Sequence, residues 1–160
     1  MTIQVGDRLP SATLTTMTAE GPKPLTISEL CEGKKVVLFA VPGAFTPTCS
    51  VQHLPGYVEN AQSLKDRGVD AVACVSVNDP FVMGAWGKDR EVGEDLMMLS
   101  DGNGDFTAAI GLEMDGSGFG LGTRSQRYAM IIDDGVVSTL NVESGPGLDV
   151  SSAETILSEL

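Results

Sequence analysis

Apolar runs separated by polar and mixed segments dominate the first two thirds of the chain. Continuous apolar runs are typical of strands buried on both faces of a sheet. Three strands are predicted in this way, at 36–41 (VVLFAV), 69–77 (VDAVACVSV) and 96–99 (LMML). Residues 47–67 and 80–91 lie between the runs and suit helices, and Gly68 is a typical stop for the first of them. Strands and helices that alternate at this spacing indicate parallel βαβ units.

The last third of the chain follows a different pattern, with two β-branched runs at 127–133 and 136–142. The Asp-Gly dipeptide between them is typical of the tight turn of a β-hairpin. Ser151 and Glu154 have the spacing of a capping box, which predicts a closing helix. Added to the βαβ core, these elements favour one α/β domain over residues 1–160. Of the arrangements that they permit, we expect a thioredoxin-like fold with a central mixed β-sheet flanked by helices.

Charge narrows the range of possible partners. The 160-residue chain has 22 acidic and 10 basic residues and a formal net charge of −12, so nucleic acid and anionic membrane surfaces would repel it. Its longest apolar run, 36–41, is far too short to cross a bilayer. The first residues, MTIQVGDRLP, lack the regions of a signal peptide. We therefore expect a soluble cytoplasmic protein that binds neither nucleic acid nor membrane.

The cysteines and the glycine-rich segments argue against metals and other cofactors. Cys31, Cys49 and Cys74 are dispersed and form no CxxC pair, which fits a reducing compartment and gives no zinc-ligand spacing. The segment DGNGDF at 101–106 begins like a calcium loop but lacks the required glycine and glutamate. The glycines of 116–122 (GSGFGLG) lack the spacing of a dinucleotide fingerprint and predict a flexible loop.

Helix-start signals surround one of the cysteines. Thr46 is a good N-cap and Pro47 is favoured at the first helical position, which puts Cys49 at the third. There, free backbone N–H groups and the positive end of the helix dipole favour a thiolate. Most free cysteines are instead buried and inert, and that interpretation suits Cys31 and, on its strand pattern alone, Cys74. Cys49 is therefore the candidate nucleophile.

Three further residues could support this nucleophile or shape its helix. His53 lies one helical turn beyond Cys49 and is either the base of a Cys–His pair or a residue that packs at the site entrance. Pro55 lacks an N–H and predicts a kink. Arg127 shares a predicted strand face with apolar side chains, where an arginine needs an anion, so it is the candidate cation. Arg124 is interpreted as a solvated loop charge.

The stretch 42–49, PGAFTPTC, resembles the active-site signature of the peroxiredoxins, thiol peroxidases with a thioredoxin-like fold. The stretches VPGAFTPTCSVQHLPGY, VSVNDPFVMGAW, RYAMIIDDG and LNVE are similar to those of the branch that contains the plant type II and animal type V enzymes. The resemblance covers nearly the whole chain in the same order. It implies an enzyme that reduces hydrogen peroxide and alkyl hydroperoxides without metal, haem or flavin.

The same resemblance implies roles for individual residues. Cys49 would be the peroxidatic cysteine, whose thiolate attacks the peroxide O–O bond, becomes a sulfenic acid and releases water or an alcohol. Thr46 would donate to or orient the peroxide, Arg127 would bind the thiolate and the peroxide oxygens, and Pro42 would shield the pocket. His53 matches the histidine that this branch carries beside its site.

Three kinds of partner are implied by the resemblance: a peroxide, a thiol reductant and a second copy of the chain. The reductant would be glutathione or glutaredoxin, or thioredoxin. The homodimer contacts would involve the loop near Phe45 and residues 79–86.

The chain departs from the animal type V enzymes where they carry a resolving cysteine. Its C-terminal segment GPGLDVSSAE has Asp149 and Val150 there and no cysteine. Cys74 does match the second cysteine of the plant type II enzymes, whereas Cys31 has no counterpart. We therefore hypothesise that the Cys49 sulfenate is reduced by an external thiol, or by Cys74 after local unfolding.

Two other functions compete with a thiol peroxidase. A thioredoxin-class dithiol oxidoreductase usually relies on a CxxC pair, which this sequence lacks. A redox sensor or holdase on the same fold would be oxidised slowly at Cys49 and would not turn over. Steady consumption of peroxide in the presence of a reductant separates the peroxidase from the sensor.

Overall fold

Two β-sheets are present in the computed structural model, which describes residues 2–145 and 147–160. The strands are β1 (Thr13–Thr18), β2 (Gly21–Thr26), β3 (Lys35–Ala40), β4 (Ala71–Ser76), β5 (Met97–Ser100), β6 (Glu113–Asp115), β7 (Thr123–Ser125), β8 (Tyr128–Asp133) and β9 (Val136–Val142). The central sheet has seven strands in the order β2-β1-β5-β4-β3-β8-β9, and β6 pairs with β7 in a separate ribbon.

Helices cover both faces of the central sheet. They are α1 (Ile27–Cys31), α2 (Leu54–Asp66), α3 (Pro80–Asp89), α4 (Asp105–Ile110) and α5 (Ala153–Ser158). A π-helical turn, Cys49–His53, leads directly into α2. Within the described chain, no helix has both the length and the apolar character needed to cross a membrane.

The predicted strands form the middle of the sheet. β3 pairs with β4, and β4 with β5, in parallel, whereas β8 pairs with β3 in the antiparallel direction. Each parallel pair is connected through a helix, as expected for βαβ units. The result is the mixed, helix-flanked sheet that the sequence predicts.

The first hairpin, β1 with β2, has no counterpart in the sequence prediction. Its strands are only partly buried and show no continuous apolar run. Pro22 and Pro24 lie within β2, which is tolerated because β2 is the outermost strand and a proline can face away from the ladder. The short helices α1 and α4 were also absent from the prediction.

The C-terminal hairpin is confirmed, and the closing helix begins later than predicted. β8 and β9 are antiparallel, and Asp134 and Gly135 both have positive φ values, 49° and 82°, as a type I′ turn requires. The N-cap of α5 is Ser152, whose hydroxyl accepts from the Thr155 N–H. The predicted cap, Ser151, is one residue too early, because its hydroxyl donates to Glu143 instead.

Two apolar clusters lie on opposite faces of the central sheet. One contains residues of α2, α3 and α5 together with Cys49 and Cys74. The other contains residues of α1 and α4 together with Cys31. The alternation of side chains along β3 and β4 therefore separates Cys31 from the other two thiols.

Candidate active site

The loop between β3 and the π-helical turn carries the signature stretch and is held against β4. The Asn78 side chain, just beyond β4, accepts hydrogen bonds from the Ala44 N–H at 2.9 Å and from the Ser76 hydroxyl at 2.6 Å. Phe45 takes a positive φ of 65°, an uncommon conformation for a bulky residue. The chain thus turns sharply just before Thr46 and enters the helix.

Helical backbone begins at Pro47, so Cys49 lies at the third helical position, as the sequence indicates. Thr46 occupies the predicted N-cap position, because its carbonyl accepts from the Ser50 N–H at 2.9 Å. Its hydroxyl, however, donates to the Gly43 carbonyl at 2.7 Å. The hydroxyl proton of Thr46 is therefore committed to the loop, and the oxygen keeps its lone pairs for another donor.

A π-helical turn, not a simple kink, marks the start of this helix. The Leu54 N–H donates to the Cys49 carbonyl, five residues back, and Pro55 follows within the first turn of α2. Because Pro55 has no N–H, a regular α-helical bond is missing at this point, and the wider turn accommodates that loss.

Cys49 and Arg127 meet inside the protein. Arg127, directly before β8, donates from Nη2 to the Cys49 sulfur at 3.1 Å. Cys49 is fully buried and Arg127 is 6% exposed. Among residues 2–145 and 147–160, the ion pairs are Lys23–Glu20, Lys65–Asp95 and Arg90–Asp89, so no carboxylate pairs with Arg127. A buried guanidinium needs an anion, and the Cys49 sulfur is a contacting group that can carry a negative charge.

His53 lies behind this pair and not at the entrance, where the sequence placed it. It is 1% exposed, and its Nδ1 accepts from Arg127 Nη1 at 2.9 Å. Arginine can only donate, so the ring proton is on Nε2, which donates to the Ser151 carbonyl at 3.0 Å. Burial, reinforced by the Arg127 charge, lowers the pKa of His53 to about 3. With Nδ1 occupied, His53 has no free nitrogen with which to act as a base toward Cys49.

A cavity of about 490 Å³ opens beside the Cys49–Arg127 pair. It is mostly apolar, and its walls come from the signature loop, the helix start, the β6–β7 ribbon and the C-terminal loop: Pro42, Thr46, Pro47, Thr48, Met114, Phe119, Gln126, Arg127 and Gly145. Three of the predicted site residues, Pro42, Thr46 and Arg127, therefore share one pocket.

The glycine-rich segment 116–122, which the sequence predicts to be a flexible loop, forms a hydrogen-bonded turn. Residues Ser117–Phe119 form a short 3₁₀ helix, and the Gly116 N–H donates to the Gly122 carbonyl at 2.7 Å. The turn closes the β6–β7 ribbon and brings Phe119, 89% exposed, to the mouth of the cavity.

Arg124 is not the solvated charge that the sequence indicated. It lies in β7 and is partly buried, with Nε donating to the Leu121 carbonyl at 2.9 Å and Nη1 approaching the Pro42 carbonyl at 3.5 Å. It thereby connects the ribbon to the signature loop. The sequence around Arg124 gives no sign of these carbonyl partners, because they depend on how the ribbon folds.

Cys74 and Cys31 lie in surroundings that suppress thiol reactivity. Cys74 is fully buried in the central strand β4, and its burial raises the thiol pKa well above the usual value. Cys31 is buried on the other face of the sheet, where burial raises its pKa to about 11. All three cysteines are free thiols. Of these three, Cys49 alone has a guanidinium donating to its sulfur.

Several residues that support the site were not predicted. Trp86 donates to the Ser50 hydroxyl at 2.9 Å and links α3 to the π-helical turn. Ser151 and Glu143 hold the C-terminal loop behind His53. Only the motif VNDP hinted at Asn78, since Asn and Asp often make local turn bonds.

No metal site is found in the described chain: residues 2–145 and 147–160 contain no group of three or more His, Cys, Asp or Glu side chains that could hold an ion. The segment 101–106, which resembles the start of a calcium loop, has a structural role. The buried Asp101 carboxylate accepts from the Phe106 and Thr107 N–H groups and from the Thr107 hydroxyl, and so begins α4.

Comparison with known proteins agrees with this geometry. The chain matches the Redoxin family over residues 4–157. It is 52% identical over 162 residues to Peroxiredoxin-2E, chloroplastic, of Arabidopsis thaliana, with 99% of this chain and 69% of that protein covered. Peroxiredoxin-2B of the same plant is 48% identical over 159 residues, with 99% and 98% covered.

A solved structure is similar over almost the full length. The crystal structure of reduced Prx3 from Vibrio vulnificus in complex with H₂O₂ is 60% identical and superposes with a TM-score of 0.94, and 98% of each chain is covered. With the buried thiol–guanidinium pair and the adjoining cavity, these matches lead to one conclusion. The chain belongs to the redoxin family as a peroxiredoxin, a thiol peroxidase.

Proposed function

We propose that Cys49 carries the peroxidase reaction of this chain. Its thiolate attacks one peroxide oxygen, so that an S–O bond forms as the O–O bond breaks. The leaving oxygen takes up a proton and departs as water or an alcohol, and Cys49 becomes a sulfenic acid. The observation that carries the proposal is the buried contact between the Cys49 sulfur and Arg127, beside a cavity that can admit a peroxide.

Hydrogen-bonding capacity assigns different tasks to the polar groups around the peroxide. Arg127 Nε is buried and has no hydrogen-bond partner within residues 2–145 and 147–160, so it is free to donate to a peroxide oxygen. The Thr46 hydroxyl already donates to Gly43, so it orients the substrate by accepting from the peroxide O–H. Pro42 forms part of the wall that limits water around the sulfur. The H₂O₂ named in the Vibrio structure supports this class of substrate.

The sulfenic acid is returned to the thiol by an external reductant in this proposal. Glutathione with glutaredoxin, or thioredoxin, has the required thiol chemistry. Cys74 lies in the same apolar cluster as Cys49, but it is fully buried in β4 and its raised pKa keeps it protonated. An internal Cys49–Cys74 disulfide would require the π-helical turn to unfold, whereas an external thiol requires only the sulfenate to become accessible.

We also propose that the protein is located in the cytoplasm and forms a homodimer. Three free thiols suit a reducing compartment, although the Arabidopsis relative is named as chloroplastic. Phe45 and Phe81 are 51% and 66% exposed and follow the neighbouring strands β3 and β4, which supports a shared apolar contact surface.

The proposed function is tested by peroxide consumption with glutathione and glutaredoxin, or with thioredoxin, as the reductant. We expect Cys49→Ser to abolish turnover and Cys31→Ser, on the opposite face of the sheet, to preserve it. We also expect Cys74→Ser to turn over normally with at least one reductant. Turnover by Cys49→Ser would overturn the assignment of the nucleophile, and loss of turnover in Cys74→Ser with every reductant would establish the internal route.

A further inference from the structure

A continuous chain of hydrogen bonds extends from Cys49 to the C-terminal loop. Arg127 donates to Cys49 through Nη2 and to His53 Nδ1 through Nη1. His53 donates to the Ser151 carbonyl. Ser151 in turn donates to Glu143 Oε2 from its N–H at 2.8 Å and from its hydroxyl at 2.6 Å. Neither Ser151 nor Glu143 contacts the cavity beside Cys49.

Glu143 also binds the backbone of Arg127, so the series of hydrogen bonds returns to that residue. The Glu143 N–H donates to the Arg127 carbonyl at 2.9 Å, where β9 ends beside the start of β8. Its carboxylate additionally accepts from the Asp149 N–H at 2.9 Å. One residue therefore anchors the main chain of Arg127 and, through Ser151 and His53, one arm of its guanidinium.

A long arginine side chain needs such support. Its free rotamers must be restricted for the guanidinium to remain directed at the sulfur. His53 provides the acceptor that fixes Nη1, and the orientation of its ring depends on the Ser151 carbonyl. That carbonyl belongs to a loop that the Glu143 carboxylate anchors through the Asp149 N–H and through the N–H and hydroxyl of Ser151. The Tyr57 hydroxyl also donates to the carbonyl itself.

We propose that Glu143 is a positioning residue for the thiol chemistry: through Ser151 and His53 it holds the Arg127 guanidinium against Cys49. The proposal rests on the assignment of Cys49 as the reacting thiol. It gives Glu143 and Ser151 of the C-terminal loop a part in catalysis although neither residue lines the cavity beside Cys49.

The protonation states of Glu143 and His53 fit this role. Burial would raise the pKa of Glu143, but the hydrogen bonds from the Ser151 hydroxyl and from the loop N–H groups outweigh it and leave the pKa below its usual value. The carboxylate is thus a strong acceptor. The charged groups that face His53 are Arg127 and Glu143, and the ring between them is neutral.

The central test compares Glu143→Ala and Glu143→Gln with the wild-type protein in the first oxidation step. Stopped-flow mixing of reduced protein with hydrogen peroxide measures the rate constant, and absorbance near 240 nm measures the thiolate fraction. We expect the rate constant to fall about tenfold in Glu143→Ala. Glu143→Gln keeps one acceptor oxygen and should recover part of the rate.

The Arg127→Lys background separates positioning from a general loss of structure. If Glu143 acts through the guanidinium, Glu143→Ala should lower the rate in the wild-type background but change it less than about twofold beside Arg127→Lys. A similar loss in both backgrounds, or an unchanged rate in Glu143→Ala, would overturn the proposal. If the alanine variant fails to fold, Glu143→Gln takes its place in the cycle.

Two substitutions of His53 separate the effect of its contact with Arg127 from that of its contact with the Ser151 carbonyl. His53→Asn can place an amide oxygen near the Nδ1 position and still accept from Arg127, whereas His53→Gln can reach the Ser151 carbonyl but leaves Arg127 without that acceptor. We therefore expect a larger loss of rate for His53→Gln. Equal losses would contradict a role for the Arg127 contact.

Glu159→Ala is the matched control, because it makes the same change of side chain and charge as Glu143→Ala. The Glu159 carboxylate accepts from Asn141 Nδ2 at 2.9 Å and takes no part in the hydrogen bonds between Cys49 and Glu143. Its loss should preserve the rate constant. If the wild-type protein shows no Cys49-dependent reaction with peroxide, the proposed function fails. A reactive wild-type protein with unaffected Glu143 and His53 variants overturns the positioning role alone.

Discussion

A buried guanidinium is stable only where nearby groups compensate for its lost hydration. Arg127 meets this condition with two contacts, to the Cys49 sulfur and to the neutral ring of His53. The ring can accept one hydrogen bond but carries no charge, so of these two contacts the Cys49 sulfur is the one that can supply a negative charge. We infer that the contact that compensates Arg127 also favours a negative charge on the sulfur.

The neutral state of His53 makes the stability of the fold depend on pH. In the folded protein its pKa is lowered to about 3, against an ordinary value of 6.5. Between these values the unfolded chain binds a proton that the folded protein does not bind. The contribution of the neutral His53 to the free energy of unfolding should therefore be fully present above about pH 6.5. At lower pH the free energy of unfolding should decrease, by at most about 1.4 kcal/mol per pH unit.

Urea unfolding from about pH 8 to about pH 5.5 measures this dependence before most carboxylates protonate. His53→Asn lacks the titrating ring and should show a flatter profile over the same range. Parallel profiles for the two proteins would show that His53 does not account for the change.

The π-helical turn Cys49–His53 is the element on which the site depends, and one side-chain bond ties it to α3. Trp86 Nε1 donates to the Ser50 hydroxyl at 2.9 Å, and both groups are buried. Ser50→Ala would leave the indole N–H without this acceptor, at a cost of about 1–2 kcal/mol. We expect faster amide exchange within residues 49–53, by about fivefold or more.

Hydrogen exchange followed by mass spectrometry measures this local opening. Ser138→Ala provides a control, because it removes a serine hydroxyl bond to the Ile131 carbonyl in the distant β8–β9 hairpin. That control should not change exchange at 49–53. Unchanged exchange in Ser50→Ala would show that the Trp86 bond does not restrain the turn.

At the scale of the secondary-structure elements, the sequence predicts those strands that are buried along their whole length. β3 and β4 are continuous apolar runs because both faces of the central sheet are covered, and the Asp134-Gly135 turn follows from local backbone preference. β1 and β2 lie at the partly covered edge, where threonines and prolines leave no periodic signal. Local patterns also indicate Cys49, from the helix-start signals around it, and Arg127, from its place on an apolar strand face.

The support behind that pair could not be predicted from local patterns. His53 and Ser151 are 98 residues apart, and their contact depends on how α2 meets the C-terminal loop. Glu143 follows β9 in a stretch that has the appearance of any solvated acidic loop. Such contacts are fixed by tertiary packing, so the helix-start signal identifies the nucleophile and leaves its positioning residues undetected.

At the scale of the whole molecule, two exposed aromatic side chains lie close to each other in the fold. Phe45 follows β3, Phe81 lies in the first turn of α3 after β4, and these strands are parallel neighbours. Both side chains therefore lie at the same end of the sheet. The ring centroids of Phe45 and Trp86 are 6.4 Å apart. Because Trp86 donates to Ser50, this contact connects the same end of the sheet to the π-helical turn.

We expect the protein to form a homodimer through Phe45 and Phe81, and Phe81→Glu to shift it to the monomer. A charge placed in an apolar contact loses its hydration without gaining a partner, and two copies of the acidic chain, each with a net charge of −12, already repel each other. Sedimentation velocity measures the shift. Phe119→Glu is the control, since Phe119 is more exposed than Phe81 but lies at the cavity mouth, and it should leave the dimer intact. A dimer that survives Phe81→Glu, or that is lost in Phe119→Glu alone, would place the interface elsewhere on the molecule.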